Sequence, residues 1–223
     1  MKIAVVGNGA GLIGRNCGAT IDAHDFVVRM NHFRLESAHE DLGARINIYM
    51  ATAAALNSME SGTVPSNIEF WNPHLLGQSE LPDDDVRERD YLRCLTQYQD
   101  KLFSDNRIGY ERLTRLSQGN GKSISWRTYR NILRSGNYLL NGTPFSPGGI
   151  LEEPTTGVKA IAMAIEMAPG NVEVFGFDFF QTSTHFWAPT EADPFPHHNY
   201  RADENAVRSW SAQGLLKIVD YKL

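Results

Sequence analysis

Cysteine is nearly absent from this 223-residue chain, which has only Cys17 and Cys94. Two distant thiols build neither a disulfide framework nor a cysteine-rich metal site, so they read as free thiols of a reducing compartment. Long hydrophobic runs are missing as well. The apolar stretches fall far short of the roughly 20 residues that cross a bilayer. The opening MKIAVVGNG is a strand running into a glycine turn, without the longer apolar region and cleavage site of a secretory signal. The expectation is a soluble, cytoplasmic protein with no membrane span. Positive charge is in short supply: 21 Lys and Arg against 26 Asp and Glu leave a net charge of −5. That balance argues against nucleic acid as a partner, because phosphate backbones need clustered cations. Internal repeats and low-complexity tracts are also lacking.

What is present is ordinary globular material, 42% hydrophobic and 21% charged. The length suits one domain over residues 1–223, able to bury a core without staples. Short apolar runs bounded by turn residues predict strands at Ile3 to Gly7, Phe26 to Met30, Ile46 to Ala51, Ile68 to Trp71 and Val172 to Phe177. Asn72-Pro73 is expected to stop the fourth. Val158, Ile161, Ala162 and Ile165 repeat at helical spacing, and Tyr200 to Leu216 predicts a last helix before a short strand at Ile218 to Tyr221. Residues 81–135 are charged and helix-like in texture, with helices expected over Tyr110 to Leu116 and Ser125 to Leu133, and read as a mostly helical insertion. Residues 135–153 read as loop. Strands alternating with helices predict an α/β fold: a mainly parallel, Rossmann-like sheet with helices on both faces.

The first strand runs into glycines at positions 7, 9, 11 and 14. Gly9-Ala10-Gly11-Leu12-Ile13-Gly14 matches the G-x-G-x-x-G of dinucleotide sites, where glycines let the backbone approach a pyrophosphate at a helix N-terminus. Its frame is off, because the glycine that ends the strand is Gly7, which puts Leu12 at the third position. The second strand also ends in Arg29-Met30-Asn31 rather than an acidic residue for the ribose, although an arginine would suit a 2′-phosphate. An NAD(P)-dependent oxidoreductase therefore stays open as an alternative.

A second reading uses more residues. Val5-Val6-Gly7-Asn8, then Ile21-Asp22-Ala23-His24-Asp25, then Arg29-Met30-Asn31 resemble in order and spacing the large sialylmotif of the sialyltransferases, glycosyltransferase family 29. Pro154-Thr155-Thr156-Gly157, a helix, and Val174-Phe175-Gly176-Phe177 resemble the small sialylmotif. His185-Phe186-Trp187 is similar to the third motif, a His before two aromatics. His198 through Asp203 is similar to the last, H-x-x-x-x-E, with Asp203 in place of Glu and Glu204 one residue on. The resemblance covers residues 1–34 and 151–206 and is that of a soluble, bacterial-type member. It departs from the family at Gly9-Ala10-Gly11, where SGN is usual. It also departs at Ile3 and in the second motif, where the cysteines of a disulfide are expected.

The resemblance implies a GT-A-like variant of the Rossmann-like fold and a CMP-activated acidic sugar as donor, CMP-sialic acid or CMP-Kdo. The acceptor would be a glycan hydroxyl, as in surface polysaccharide synthesis, and no cofactor would be needed. It implies that Gly7, Asn8, Gly9, Asn31, Thr155, Thr156, Gly157, Gly176 and Phe177 hold the donor. His198 would be the general base, supported by Asp203 or Glu204, and His185 would stabilise the leaving phosphate. A catalytically inactive CMP-sugar-binding protein is a further alternative, kept open by Asp203. No metal site is expected. His197 and His198 are adjacent rather than at i, i+4, and Asp83-Asp84-Asp85 reads as solvated charge opening a helix.

Overall fold

The computed structural model describes residues 1–33, 39–58, 68–77, 95, 100, 103–119, 121–138, 153–181 and 198–219. Seven strands form one sheet: β1 (Ile3–Val6), β2 (Phe26–Met30), β3 (Ile48–Met50), β4 (Glu69–Gly77), β5 (Lys122–Ser125), β6 (Val172–Phe175) and β7 (Lys217–Ile218). All pair in parallel, in the order β5-β4-β3-β2-β1-β6-β7. Among the described residues the helices are α1 (Gly18–Asp22), α2 (His39–Leu42), α3 (Ala53–Ser58), α4 (Arg107–Ser117), α5 (Trp126–Gly136), α6 (Thr156–Met167) and α7 (Tyr200–Ala212).

The strands are apolar on both faces because both faces are covered, as parallel sheets require. Ile3, Val5, Val28, Met30, Ile48 and Met50 point to one side, against buried residues of α5, α6 and α7. Ala4, Val6 and Val27 point to the other, against Ile21 of α1, Leu42 of α2 and Leu12. On that second side Tyr49 and Phe70 pack with Tyr110 and Leu113 of α4. The predicted parallel sheet with helices on both faces is what the chain forms.

Two local expectations are corrected. Asn72-Pro73 does not end β4, which runs on to Gly77. The pairing with β5 shifts register between Asn72 and Leu76. Proline is tolerated at such an irregularity because no regular ladder bond is asked of its missing N–H. The 81–135 range is also not wholly helical: Lys122–Ser125 is the edge strand of the main sheet. The helix that follows, α5, is started by Ser125, whose hydroxyl accepts the Thr128 N–H at 3.1 Å, and it packs into the core formed with α6 and α7. Asp83-Asp84-Asp85 lies outside the described residues. Among the described residues no helix is long and apolar enough to cross a membrane.

Candidate active site

From β1 the chain builds the sheet outward to β5, then returns to β6 on the other side of β1. The loops leaving β1 and β6 therefore part in opposite directions. In open α/β sheets the crevice at the carboxyl ends of two such strands is where ligands bind. A cavity of about 450 Å³ opens there. Gly7, Asn8, Gly9, Asn31, Thr155, Thr156, Gly157, Gly176, Phe177, His198 and Asp203 all line it. The large-motif and small-motif segments, far apart in sequence, thus meet in one place.

The glycines at this junction are held by close backbone approach. Gly7 N–H donates to Phe175 O at 2.8 Å, and Gly9 N–H to Gly176 O at 3.0 Å. A Cβ on Gly7 would stand 2.6 Å from Gly176 O, and one on Gly9 2.7 Å from it. Gly176 itself has φ +68, a conformation glycine adopts without strain. By contrast a Cβ on Gly11 or Gly14 would meet nothing within 4 Å. The turn also lacks what a dinucleotide fingerprint needs. Ala10–Leu12 is a single 3₁₀ turn, and α1, only five residues long, starts at Gly18. Arg29 is not open to a 2′-phosphate. It is buried, and its guanidinium donates to the carbonyls of Arg45 (2.9 Å), Leu42 (2.7 Å) and Gly43 (3.3 Å).

Both asparagines sit at strand ends, as expected. Asn8 Nδ2 donates to Met30 O at 3.2 Å, tying the β1 exit to the end of β2. Asn31, at φ 48, accepts the Thr52 N–H at 3.0 Å through Oδ1. That bond turns its NH₂ group into the remaining donor.

The second half of the cavity is the start of α6. Thr155 is its N-cap, its hydroxyl accepting the Val158 N–H at a long 3.5 Å. The N–H groups of Thr156 and Gly157 precede the helix's own acceptors and are available to an anion. Gly157 is glycine because the Phe177 ring lies against it: a Cβ there would be 2.6 Å from that ring. Beyond Phe177, Phe179 and Phe180 hold φ of 52 and 62, and Asp178 Oδ1 accepts the Phe180 N–H at 3.0 Å. Two successive phenylalanines in the left-handed region are costly and occur where a site requires them.

The start of α7 brings two titratable side chains, His198 and Asp203, to the cavity. Asn199 caps it, accepting the Ala202 N–H at 2.9 Å, which fixes His198 immediately ahead and Asp203 on the first turn. His198 Nδ1 lies 2.7 Å from Glu153 O. A carbonyl only accepts, so Nδ1 carries a proton, and in the neutral ring the lone pair is on Nε2. Asp203 Oδ2 accepts the Thr155 N–H at 3.3 Å. Burial drives its carboxyl well above the usual aspartate range, and only the Thr155 N–H opposes this.

His198 Nδ1 is bonded to the Glu153 carbonyl, and Asp203 bonds two residues further along the same segment. Glu204 is not in the cavity wall: it pairs with Arg208 at 2.8 Å and takes a bond from Gln181 at 3.4 Å. One residue's step along a helix is about 100°, which turns Glu204 away from the face Asp203 occupies. His185 lies outside the described residues, as does His197.

Sequence reasoning passed over Glu153, Lys159 and Tyr110, which also line the cavity. Lys159 and Glu153 form an ion pair, both buried. Burial, with the Glu153 charge second, pushes the Tyr110 hydroxyl up to about 12. The available signal was Lys159 itself, the one cation in the amphipathic α6 segment. Among the described residues no group of three or more His, Cys, Asp or Glu is arranged to hold a metal ion.

Comparison with known proteins agrees with this geometry. The family model described as Glycosyltransferase family 29 (sialyltransferase) matches residues 1–74. Sialyltransferase-like protein 2 of Oryza sativa subsp. indica is 23% identical over 216 residues, covering 90% of this chain and 50% of that protein. Human alpha-N-acetylgalactosaminide alpha-2,6-sialyltransferase 2 is 35% identical over 82 residues, 37% of this chain and 19% of that protein. The chain thus spans half or less of the length of these curated relatives. A mammalian sialyltransferase solved with Gal-beta-1-3GalNAc-ortho-nitrophenol superposes with a TM-score of 0.58 at 16% identity, over 99% of this chain and 69% of that one. That likeness is one of fold.

Proposed function

We propose that the chain is a sialyltransferase-like member of glycosyltransferase family 29, to which residues 1–74, its relatives and its fold are similar, and that it transfers a 2-keto sugar acid from a CMP-activated donor to a glycan hydroxyl, with inversion and without a metal. The observation that carries the reading is the orientation of His198 at the mouth of an anion-binding helix. Its Nδ1–H is spent on Glu153 O, so Nε2 is the nitrogen that takes a proton. The same cavity holds the open N–H groups of α6 and the amides of Asn8 and Asn31.

In this mechanism the acceptor oxygen attacks the anomeric carbon and forms the new glycosidic bond. The bond from that carbon to the phosphate oxygen breaks, and its electron pair leaves with CMP. The hydroxyl proton passes to His198 Nε2. Charge growing on the phosphate is met by the Thr156 and Gly157 N–H groups and the asparagine amides, a preorganised set of donors. A CMP-sugar has a single phosphate, so no pyrophosphate has to be bridged by a cation. The donor is CMP-sialic acid or CMP-Kdo, and we read the compartment as cytoplasmic.

The test is CMP release by the purified protein with each donor in parallel, with His198→Ala and with EDTA. Release from one donor, lost in the variant and unchanged by EDTA, is expected. No release and no stabilisation by CMP would overturn the reading. Stabilisation by CMP without release would favour a binding protein instead.

A further inference from the structure

We propose that Lys159 is a positioning residue for His198 and acts through Glu153; this rests on the reading of His198 as general base. Glu153 is held at two points. Its carboxylate takes the Lys159 ammonium, with the two side chains 4% and 2% exposed. Its backbone carbonyl takes the Nδ1–H of His198. The residue that follows is Pro154, which confines Glu153 to extended backbone conformations. Few conformations then remain, so fixing the Glu153 side chain fixes the direction of its carbonyl. At the other end of this segment Asp203 holds the Thr155 N–H. The ring of His198 is set by a carbonyl lying between these two anchors.

Stability does not account for the ion pair. Replacing a buried pair with apolar side chains of similar volume is often neutral or stabilising. The neighbours of Lys159 on α6 are already apolar: Val158, Ala160, Ile161 and Ala162 are buried. A cation in the early turns of a helix also faces the positive end of its dipole. Lys159 Nζ sits 5.7 Å from the centroid of the Tyr129 ring on α5, and its side chain is buried. An ion pair so placed gives the wall a fixed point without adding net charge where an anionic donor must enter.

The experiment compares the wild type with Lys159→Met and with the double variant Glu153→Met, Lys159→Met. The double variant removes both charges, keeps side-chain volume and keeps the backbone carbonyl. The readouts are the ring ¹⁵N spectrum, with His198 identified by its loss in His198→Ala, and the kinetics of CMP release with its pH profile. Expected are a single Nδ1–H tautomer in the wild type and mixed tautomers in both variants. Turnover should fall about 10–100-fold, the scale of a misplaced reacting group, with KM for the donor changed less than about twofold. A folded double variant that keeps the tautomer and the turnover overturns the proposal. So does a double variant that fails to fold, since the pair would then be structural. The tautomer is read without turnover, so a wild type that releases no CMP would count against the transferase reading while leaving this proposal decided by the spectra.

Discussion

Asp203 reaches back 48 positions to accept the Thr155 N–H at 3.3 Å, so the first turn of α7 closes the N-terminus of α6 with a carboxyl group that is 2% exposed. Its Oδ1 has no hydrogen-bond partner among the described residues. A buried carboxylate with one oxygen unsatisfied is poorly stabilised, which is why burial drives its pKa well above the ordinary aspartate range. The native state then holds a proton that the unfolded chain releases. Stability from this group is full below the ordinary aspartate range and is lost as pH rises toward the elevated native value. Asp203→Asn keeps an acceptor for Thr155 and cannot ionise. Melting temperature followed from pH 4 upward is therefore expected to decline in the wild type relative to Asp203→Asn, with the variant the more stable at neutral pH. Parallel curves for the two proteins would show that Asp203 is ionised in the native state.

The glycines make opposite predictions under the two readings of the first turn. Gly7→Ala places a methyl 2.6 Å from Gly176 O and 2.9 Å from the Phe177 ring, so the β1 and β6 exits must separate. The expected cost is about 1–3 kcal/mol, with loss of CMP-induced stabilisation. Gly11→Ala meets nothing within 4 Å, and its stability is expected to stay within about 0.5 kcal/mol of wild type with CMP binding retained. A dinucleotide site would invert the ligand result, since Gly11 would be where the pyrophosphate approaches. Thermal shifts of both variants with CMP and with NADPH check this.

The sheet was legible because parallel strands buried on both faces are short and continuously apolar. FVVRM at Phe26–Met30 is such a run apart from Arg29, and it is β2 to the residue. β5 was missed because KSIS is an edge strand with Lys122 and Ser123 exposed, leaving almost no hydrophobic pattern to read. The cavity wall from Gly7 to Asn31 and from Thr155 to Phe177 was legible because its residues lie in two contiguous segments whose order and spacing carry information. The Glu153–Lys159 pair was not. It depends on a carboxylate six positions away being folded back over the helix start by Pro154 and Thr155, and neither residue breaks a local rule strongly enough to stand out. The connection from His198 to Glu153 O joins positions 45 apart through a backbone carbonyl, which every residue has.

Arg29 separates a structural cation from a ligand-binding one. It lies at the end of β2, where an oxidoreductase would use it for a 2′-phosphate, yet its side chain is 2% exposed and absent from the cavity wall. Burial lowers its pKa to about 10, partly offset by Asp22, so it is still charged at neutral pH. That charge is satisfied by the carbonyls of Leu42, Gly43 and Arg45, which fix the chain between α2 and β3. Hydrogen bonds to a charged group are each worth about 1.5–3 kcal/mol, and orphaned carbonyls add to the loss. Arg29→Met should therefore cost about 3 kcal/mol or more, a fall in melting temperature of roughly 6–12 °C for a chain of this size. The further stabilisation by CMP, measured on the folded variant below its new midpoint, should match the wild type, because no cavity residue has been touched. If the variant instead kept its stability and lost affinity for a phosphorylated nucleotide, Arg29 would have to swing out of the fold to bind, and the structural role assigned to it would be wrong.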